Sequence, residues 1–236
     1  PRPVSSAASD VYKRQQILFL ATIFSISSFS QQNITMDVGD FNSLTIYDGI
    51  KVELKKSETN SVEITGNNSA STIVKNKNGS LKIRLNLEKK FSGETNVILN
   101  YKEISRVTSH EGAYVFSKDT ITQHELNIKA HTGSKQDYII NTTFLNTTSA
   151  TGSSIVLNGS SKYHDVTAMS GSKVFAASLL NEETTGTSST GAVIDLAAVK
   201  EIEATVKAGG VINIHTKTEK IIKKVVFGGS VNLLYE

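Results

Sequence analysis

The sequence predicts an all-β fold, a right-handed parallel β-helix (β-solenoid) with coils of about 19 residues. Three observations lead to this prediction. A glycine-centred triplet recurs at nearly constant spacing, apolar residues alternate with polar ones around each triplet, and the composition favours short strands joined by polar turns. Ser, Thr, Asn and Gly are abundant, Trp and Cys are absent, and only two Pro occur.

The repeat is a triplet centred on a glycine, with small residues on either side except at Glu111 and Phe227. Successive central glycines are 21, 19, 19, 20, 18 and 19 residues apart. A sequence period of this kind is typical of stacked supersecondary units, and a β-propeller would need a period of about 40 residues. The triplets are Glu111-Gly112-Ala113, Thr132-Gly133-Ser134, Thr151-Gly152-Ser153, Ser170-Gly171-Ser172, Thr190-Gly191-Ala192, Ala208-Gly209-Gly210 and Phe227-Gly228-Gly229.

Alternation around each glycine identifies the repeating unit as strand. Residues at odd offsets from the glycine are apolar or small, and strand geometry places them together on one face. We therefore expect a buried column of Ile155, Val174, Ile194 and Ile212, with a tight corner column of Ser153, Ser172 and Ala192 beside it. Gln136 and Glu111 occupy odd offsets but do not fit this inward pattern. Even offsets are predicted to form an outward ladder of Thr108, Lys129, Thr148, Thr167, Thr187, Thr205 and Lys224.

The part of the chain before the repeat has shorter alternating segments, separated by turn signals such as Asp48-Gly49 and Asn78-Gly79-Ser80. We expect it to supply the opening coils and a cap. The predicted organisation is a single β-solenoid domain over residues 31–236, with irregular coils and a cap at 31–106 and regular coils at 107–236.

The first thirty residues carry signals unrelated to the fold. Residues 1–15 resemble a translated linker sequence, and residues 16–30 resemble a signal peptide. Lys13-Arg14 precedes the apolar stretch from Ile17 to Phe29, and Ser28-Phe29-Ser30 ends it as a cleavage site. The stretch is shorter than the roughly 20 residues that span a bilayer. Export to the periplasm, the outer-membrane surface or the extracellular space is therefore predicted; a buried N-terminal strand or helix is the alternative.

Charge and cysteine content limit the classes of function. Lys plus Arg total 25 and Asp plus Glu total 22, and a net charge of +3 does not predict a nucleic-acid partner. Because there is no Cys, disulfides, thiolate metal sites, cysteine nucleophiles and a lipidated N-terminal Cys are excluded. No cofactor and no membrane span are expected.

The segment Phe41-Asn42-Ser43-Leu44-Thr45-Ile46, the later Gly49-Ile50-Lys51-Val52-Glu53-Leu54 and the triplets together resemble the autotransporter-adhesin head GIN domain family, which is common in exported proteins of Bacteroidota. The resemblance covers roughly residues 38–234. It implies a β-helix-like fold and an adhesin-like function, and it offers no catalytic residues to transfer. Gly210 and Gly229 depart from the family pattern, because they replace Ala or Ser in the last two coils.

No catalytic, cofactor-binding or metal-binding residue is predicted. His110 and His131 should stack outward about 5 Å apart on neighbouring coils, but Ala150 at the next equivalent place supplies no third ligand. Asp137 and Asp195 share an outward column three coils apart, roughly 14 Å, which is too far for paired carboxylate catalysis.

The leading hypothesis is therefore a non-enzymatic surface or periplasmic interaction protein, adhesin-like, that binds through the outer face of the solenoid. A cell-envelope component, a glycan and a protein all stay open as the ligand. The alternatives are a polysaccharide-active β-helix enzyme and a purely structural spacer.

Processing can be tested directly. If Ser28-Phe29-Ser30 is a cleavage site, protein recovered from a Gram-negative host should begin at Gln31, which mass spectrometry of the intact chain would show. Ser30→Leu should block cleavage, because signal peptidase needs a small residue there. A soluble cytoplasmic product that begins upstream of Ile17 would contradict export.

Overall fold

The structure is a computed structural model that describes residues 33–86 and 93–235. The predictions on residues 1–30 lie outside the described residues. The described chain is a β-solenoid of about seven turns with coils about 19 residues apart, as predicted. Apart from one 3₁₀ turn at Ser69–Ser71, its regular structure is strand.

Within the described ranges, eight shorter strands come before the regular coils. They are β1 (Ile34–Asp37), β2 (Ser43–Ile46), β3 (Lys51–Lys56), β4 (Ser61–Gly66), β5 (Thr72–Lys77), β6 (Ser80–Leu85), β7 (Thr95–Tyr101) and β8 (Arg106–Ser109). Strands β2 and β3 are parallel to the coil strands, whereas β4 is antiparallel to β1 and β7, and β5 is antiparallel to β6. The irregular region thus continues the coil stack and adds antiparallel strands to it.

The regular coils are built from nine further strands. They are β9 (Tyr114–Ala130), β10 (Lys135–Ala150), β11 (Ser154–Met169), β12 (Lys173–Ser189), β13 (Val193–Leu196), β14 (Ala198–Lys207), β15 (Gly210–Ile214), β16 (Lys220–Val226) and β17 (Gly229–Leu233). All of their mutual pairings are parallel. The longest strands, of 16 and 17 residues, bend around the coil: in β11 the alternation of burial breaks at 159–160, where two consecutive residues are exposed.

Parallel pairing places equivalent residues of successive coils directly on one another. Ile155 is the partner of Val174, Val174 of Ile194, and Ile194 of Ile212, and all four are fully buried. The predicted inward column is therefore confirmed. Because burial of apolar side chains is the main favourable term in folding, this continuous column and its neighbours stabilise each coil against the next.

Each coil turns at the triplet through two consecutive residues in the left-handed region. Thr151 has a φ of 55° and Gly152 a φ of 69°, the pattern of a type I′ turn. The Gly152 N–H donates to the carbonyl of Ser170 in the next turn at 3.1 Å, so the turns also hydrogen-bond to each other. Glu111 occupies the same left-handed place in the first regular turn and is exposed, which explains why it breaks the inward pattern.

The small residue after each turn glycine lies in the predicted corner column. The Ser153 hydroxyl accepts from the Ala150 N–H at 3.0 Å and donates to the Ala130 carbonyl of the preceding coil at 2.8 Å. Ser172 makes the same two bonds one coil later. The corner serine thus stabilises its own turn and links two coils. Its buried hydroxyl would be unfavourable without these hydrogen bonds.

Gly210 and Gly229 mark corners where the backbones approach more closely. A Cβ on Gly210 would lie 2.6 Å from the Ser188 carbonyl oxygen, and one on Gly229 would lie 2.3 Å from the Gly210 carbonyl oxygen. Glycine is therefore the residue that fits in the last two coils, and the departure from the family pattern has a steric cause.

Gln136 points inward as its offset requires, and its polar atoms are satisfied there. Its Nε2 donates to the Ser109 hydroxyl and to the Lys129 carbonyl, each at 2.7 Å. Its Oε1 accepts from the buried Tyr138 hydroxyl at 2.8 Å. A buried amide with these bonds is compatible with the core.

His164 is a buried histidine of the regular coils. It is fully enclosed, its Nε2 lies 3.0 Å from the Thr147 hydroxyl, and its Nδ1 has no hydrogen-bond partner among the described residues. Burial lowers the pKa of His164 from 6.5 to about 3, because the charged ring would lose its hydration.

Three consecutive residues test the register. Val174→Asp should destabilise by several kcal/mol, because it buries an unpaired carboxylate. Ser172→Phe should cost on the order of 1–3 kcal/mol through overpacking of the corner. Lys173→Asp, on the exposed face between them, should change the free energy of unfolding by less than about 0.5 kcal/mol. Thermal and denaturant melts would measure all three, and equal damage from Lys173→Asp and Val174→Asp would refute the register.

The buried histidine predicts acid sensitivity. Between pH 6.5 and about 3 the unfolded chain binds a proton at His164 that the folded chain does not. The free energy of unfolding should therefore decrease as the pH is lowered from 6.5 to about 3. The loss should reach several kcal/mol at the acid end. His164→Leu should remove this part of the slope, since Leu145 already fills the same column one coil earlier. His124→Gln, at an exposed histidine, is the matched control. Identical pH profiles for His164→Leu and the parent would contradict the prediction.

Candidate binding surface

One outward face carries a continuous row of threonines and lysines. The predicted threonine ladder is confirmed in register, and it extends through Thr45 of β2 onto Lys82 of β6 and Lys75 of β5. We call this row and the outward residues of the same strand segments the threonine wall. In spatial order its central row is Lys75, Lys82, Thr45, Thr108, Lys129, Thr148, Thr167, Thr187, Thr205 and Lys224.

An aromatic stack runs beside this row, toward the turns. The rings of His110 and His131 are stacked with centroids 5.0 Å apart, which confirms the predicted spacing. Tyr47 extends the stack at 4.9 Å from His110, and sequence analysis missed it because it lies outside the regular repeat. Burial lowers the pKa of both histidines, and His110 and Lys129 lower that of His131 further. Among the described residues no cluster of three or more His, Asp or Glu could hold a metal ion.

The two ends of the threonine wall differ in charge. We call the outward residues of β5, β6, β2 and β8, together with those of residues 127–130 of β9, the segment paired with β8, the basic half. Within the described ranges these positions hold no Asp or Glu, while the next strands include Asp165 and Glu203. The basic half contains six cations: Lys75, Lys77, Lys82, Arg84, Arg106 and Lys129.

The cations of the basic half have no acidic partners within the described structure: none of the six makes an ion pair with another described residue. Among the described residues, acidic side chains lie only at its edges. Asp48 and Glu111 are in the turns on one side, and Glu125 accepts a hydrogen bond from Asn127 on the other. The result is a positive surface with a partly negative rim.

Two shallow grooves adjoin on the basic half and share Lys75 and Lys82. The larger has a volume of about 390 Å³ and the smaller about 240 Å³. The larger is lined by Tyr47, Asp48, Ile73, Lys75, Lys82, Arg84 and Glu111, and the smaller by Lys75, Lys77, Ser80 and Lys82.

Comparison with protein families agrees with the fold and its repeat. The family described as "Putative auto-transporter adhesin, head GIN domain" matches residues 40–217, three quarters of the sequence. The chain belongs to this family. The resemblance drawn from the opening motif and the triplets is thereby confirmed, and none of the curated proteins matches the sequence.

Solved structures of similar fold include proteins from Bacteroides and Parabacteroides. A crystal structure described as a putative adhesin from Bacteroides fragilis has a TM-score of 0.78 and 16% identity, over 87% of this chain and 98% of that one. A putative adhesin from Parabacteroides distasonis has a TM-score of 0.71, 15% identity and the same coverage of both chains. A protein from the same species, described as a putative lipid binding protein, has a TM-score of 0.67 and 13% identity, over 87% of this chain and 97% of that one. At these identities the likeness shows the fold alone.

The head GIN domain of this chain has another exposed aromatic pair, on a different part of the coil. Phe144 and Tyr163 are stacked with centroids 5.2 Å apart, His124 packs its edge on Phe144, and Lys162 Nζ lies 5.2 Å from the Tyr163 centroid. The ring faces are thus covered by neighbouring side chains. This pair stacks across adjacent coils, and Phe144 keeps 40% of its surface exposed.

The carboxylates Asp137 and Asp195 lie in one outward column of the solenoid. Asp137 and Asp195 are separated in their column by Val156 and Phe175, as predicted. Asp195 accepts hydrogen bonds from Asn213 at 2.9 Å and is 3.1 Å from His215 Nε2.

Glu183 and Glu201 are direct neighbours on β12 and β14, a pair that sequence analysis missed. Glu183 is exposed, and Glu201 forms an ion pair with Lys220 at 2.7 Å. A general acid needs a carboxyl that its surroundings keep protonated, and an open surface does not provide this.

Among the described residues no helix has the length and apolar character to cross a membrane.

Proposed function

We propose that this chain is an exported, non-enzymatic, adhesin-like protein that binds its ligand through the threonine wall, at the cell surface or in the periplasm. The observation that carries the proposal is the wall itself, whose central row is in register over ten strands. Export is supported by the apolar stretch from Ile17 to Phe29 with its following Ser28-Phe29-Ser30, and the family description supports the adhesin-like role.

The physical support for binding at the wall comes from its chemistry. Hydroxyl groups repeat along the wall at the strand spacing of about 4.8 Å, and lysines stand in the same row. Hydroxyls donate and accept hydrogen bonds, so they can contact a polar ligand at many points in succession. Strands held by parallel partners on both sides change shape little on binding, which keeps the entropic cost of recognition low.

The alternative of a polysaccharide-active enzyme rests on the neighbouring carboxylates Glu183 and Glu201. Their separation across one strand spacing is compatible with paired carboxylate chemistry. The exposure of Glu183 and the ion pair of Glu201 with Lys220 favour a structural role.

Blocking the wall tests the proposed function. Thr148→Tyr with Thr167→Tyr places two bulky side chains on adjacent coils of the wall and should leave stability nearly unchanged, since tyrosine is well accommodated in strands. Retention of the full chain on surfaces coated with mucin, collagen, fibronectin or bacterial envelope fragments should fall at least about tenfold. The reason is that the two bulky side chains keep the ligand from contacting the threonine wall.

The matched control is Ser154→Tyr with Lys173→Tyr, also partners on adjacent coils but on the face that follows the turn. Equal retention of both double variants, or equal loss in both, would contradict binding through the wall. Release of reducing sugar ends from a glycan, abolished by Glu183→Gln or Glu201→Gln, would support the enzyme instead.

A further inference from the structure

We propose that the basic half of the threonine wall binds an acidic polysaccharide, an extended sugar polymer that carries carboxylate or sulfate groups. This inference rests on the proposed function and names its ligand class. It depends on the charges, the hydrogen-bonding groups and the regular spacing of the five strands β5, β6, β2, β8 and β9.

Unneutralised like charges are the first argument. Lys75 and Lys82 are direct partners on antiparallel strands, and like charges placed directly opposite each other destabilise a sheet. Arg84 follows Lys82 on the same face, and none of the three is paired with an acid within the described residues. A bound polyanion would remove this repulsion, and carboxylate or sulfate oxygens would accept charge-assisted hydrogen bonds from these side chains.

The groups between the cations fit sugar rather than a bare anion. The basic half also carries four hydroxyl groups and one amide, each on a partly exposed residue. These residues are Ser43, Thr45, Ser80, Thr108 and Asn127. Such groups can bond to sugar hydroxyls while the lysines and arginines contact the acidic substituents. The five strands extend about 19 Å, and the two adjoining grooves lie along part of this length, so an extended oligosaccharide can contact several rows at once.

Two other polyanionic partners fit less well. Single-stranded nucleic acids bind on aromatic rings whose faces are open to bases, but the rings of Tyr47, His110 and His131 are stacked on one another. A membrane surface is bound by apolar side chains set among the cations, and Ile73 at the edge is the one large apolar side chain exposed on the described basic half. Acidic polysaccharide is the partner that matches both the charge and the polar groups.

The experiment measures binding of the full chain to polygalacturonate and heparin, with neutral dextran and a thymidine oligonucleotide as comparisons. Both acidic polymers should bind at about 50 mM salt and weaken markedly at about 200 mM, because screening and counterion release govern such contacts. Lys75→Gln, Lys82→Gln and Arg84→Gln combined should weaken binding at least about tenfold and reduce the dependence on salt.

The control triple, Lys55→Gln, Lys135→Gln and Lys173→Gln, removes the same charge from other faces and should leave binding within about twofold. Equal loss in the control triple would reduce the effect to net charge and overturn the proposal. So would failure of both acidic polymers to bind, equal binding of dextran, or tighter binding of the oligonucleotide. Circular dichroism melts verify that both triples are folded.

The outcomes separate this inference from the proposed function. If the acidic polymers fail to bind while Thr148→Tyr with Thr167→Tyr still lowers retention on coated surfaces, the ligand class is wrong and binding through the wall stands. If neither set of variants changes any binding, both proposals fall.

Discussion

The parallel hydrogen bonding between successive coils is the constraint on which the rest of the structure depends. It fixes equivalent residues on top of one another, so each choice of side chain is repeated as a column. The left-handed pair at each turn, such as Thr151 and Gly152, keeps the coils in step and bonds to the next turn through the Gly152 N–H. Burial, the aromatic stacks and the threonine wall all follow from this alignment.

The turns include an unfavourable backbone conformation, and the coil stack must offset its energetic cost. Thr132, Thr151 and Thr190 are β-branched residues at positive φ, a conformation that such side chains rarely adopt. The corner serines oppose this cost with hydrogen bonds inside the turn and to the preceding coil, as at Ser153. Where the serine is replaced by Gly210 or Gly229, the backbones approach more closely instead. Serine and glycine thus form two different corners in one solenoid, and Ala113 and Ala192 occupy the same place after their turn glycines.

The regular coils were predictable because strand side chains alternate with period two, so glycine spacing fixed the faces of Val174, Lys173 and Thr167 without a structure. The basic half was not predictable from the sequence. Its cations come from separate segments that meet only because β2 lies between β6 and β8, and a net charge of +3 conceals them. The neighbours Glu183 and Glu201 were missed because a register shift after Asn181 changes the local spacing.

The strict alignment of the coils arranges the outward residues of the threonine wall as a regular lattice. A coil contributes one row, whose position is set by the backbone hydrogen bonds and the inward side chains that join it to the neighbouring coils. Change at an outward site therefore alters one lattice point and leaves the spacing of the others intact. A surface organised in this way can vary its recognition chemistry point by point while the scaffold beneath it is held constant.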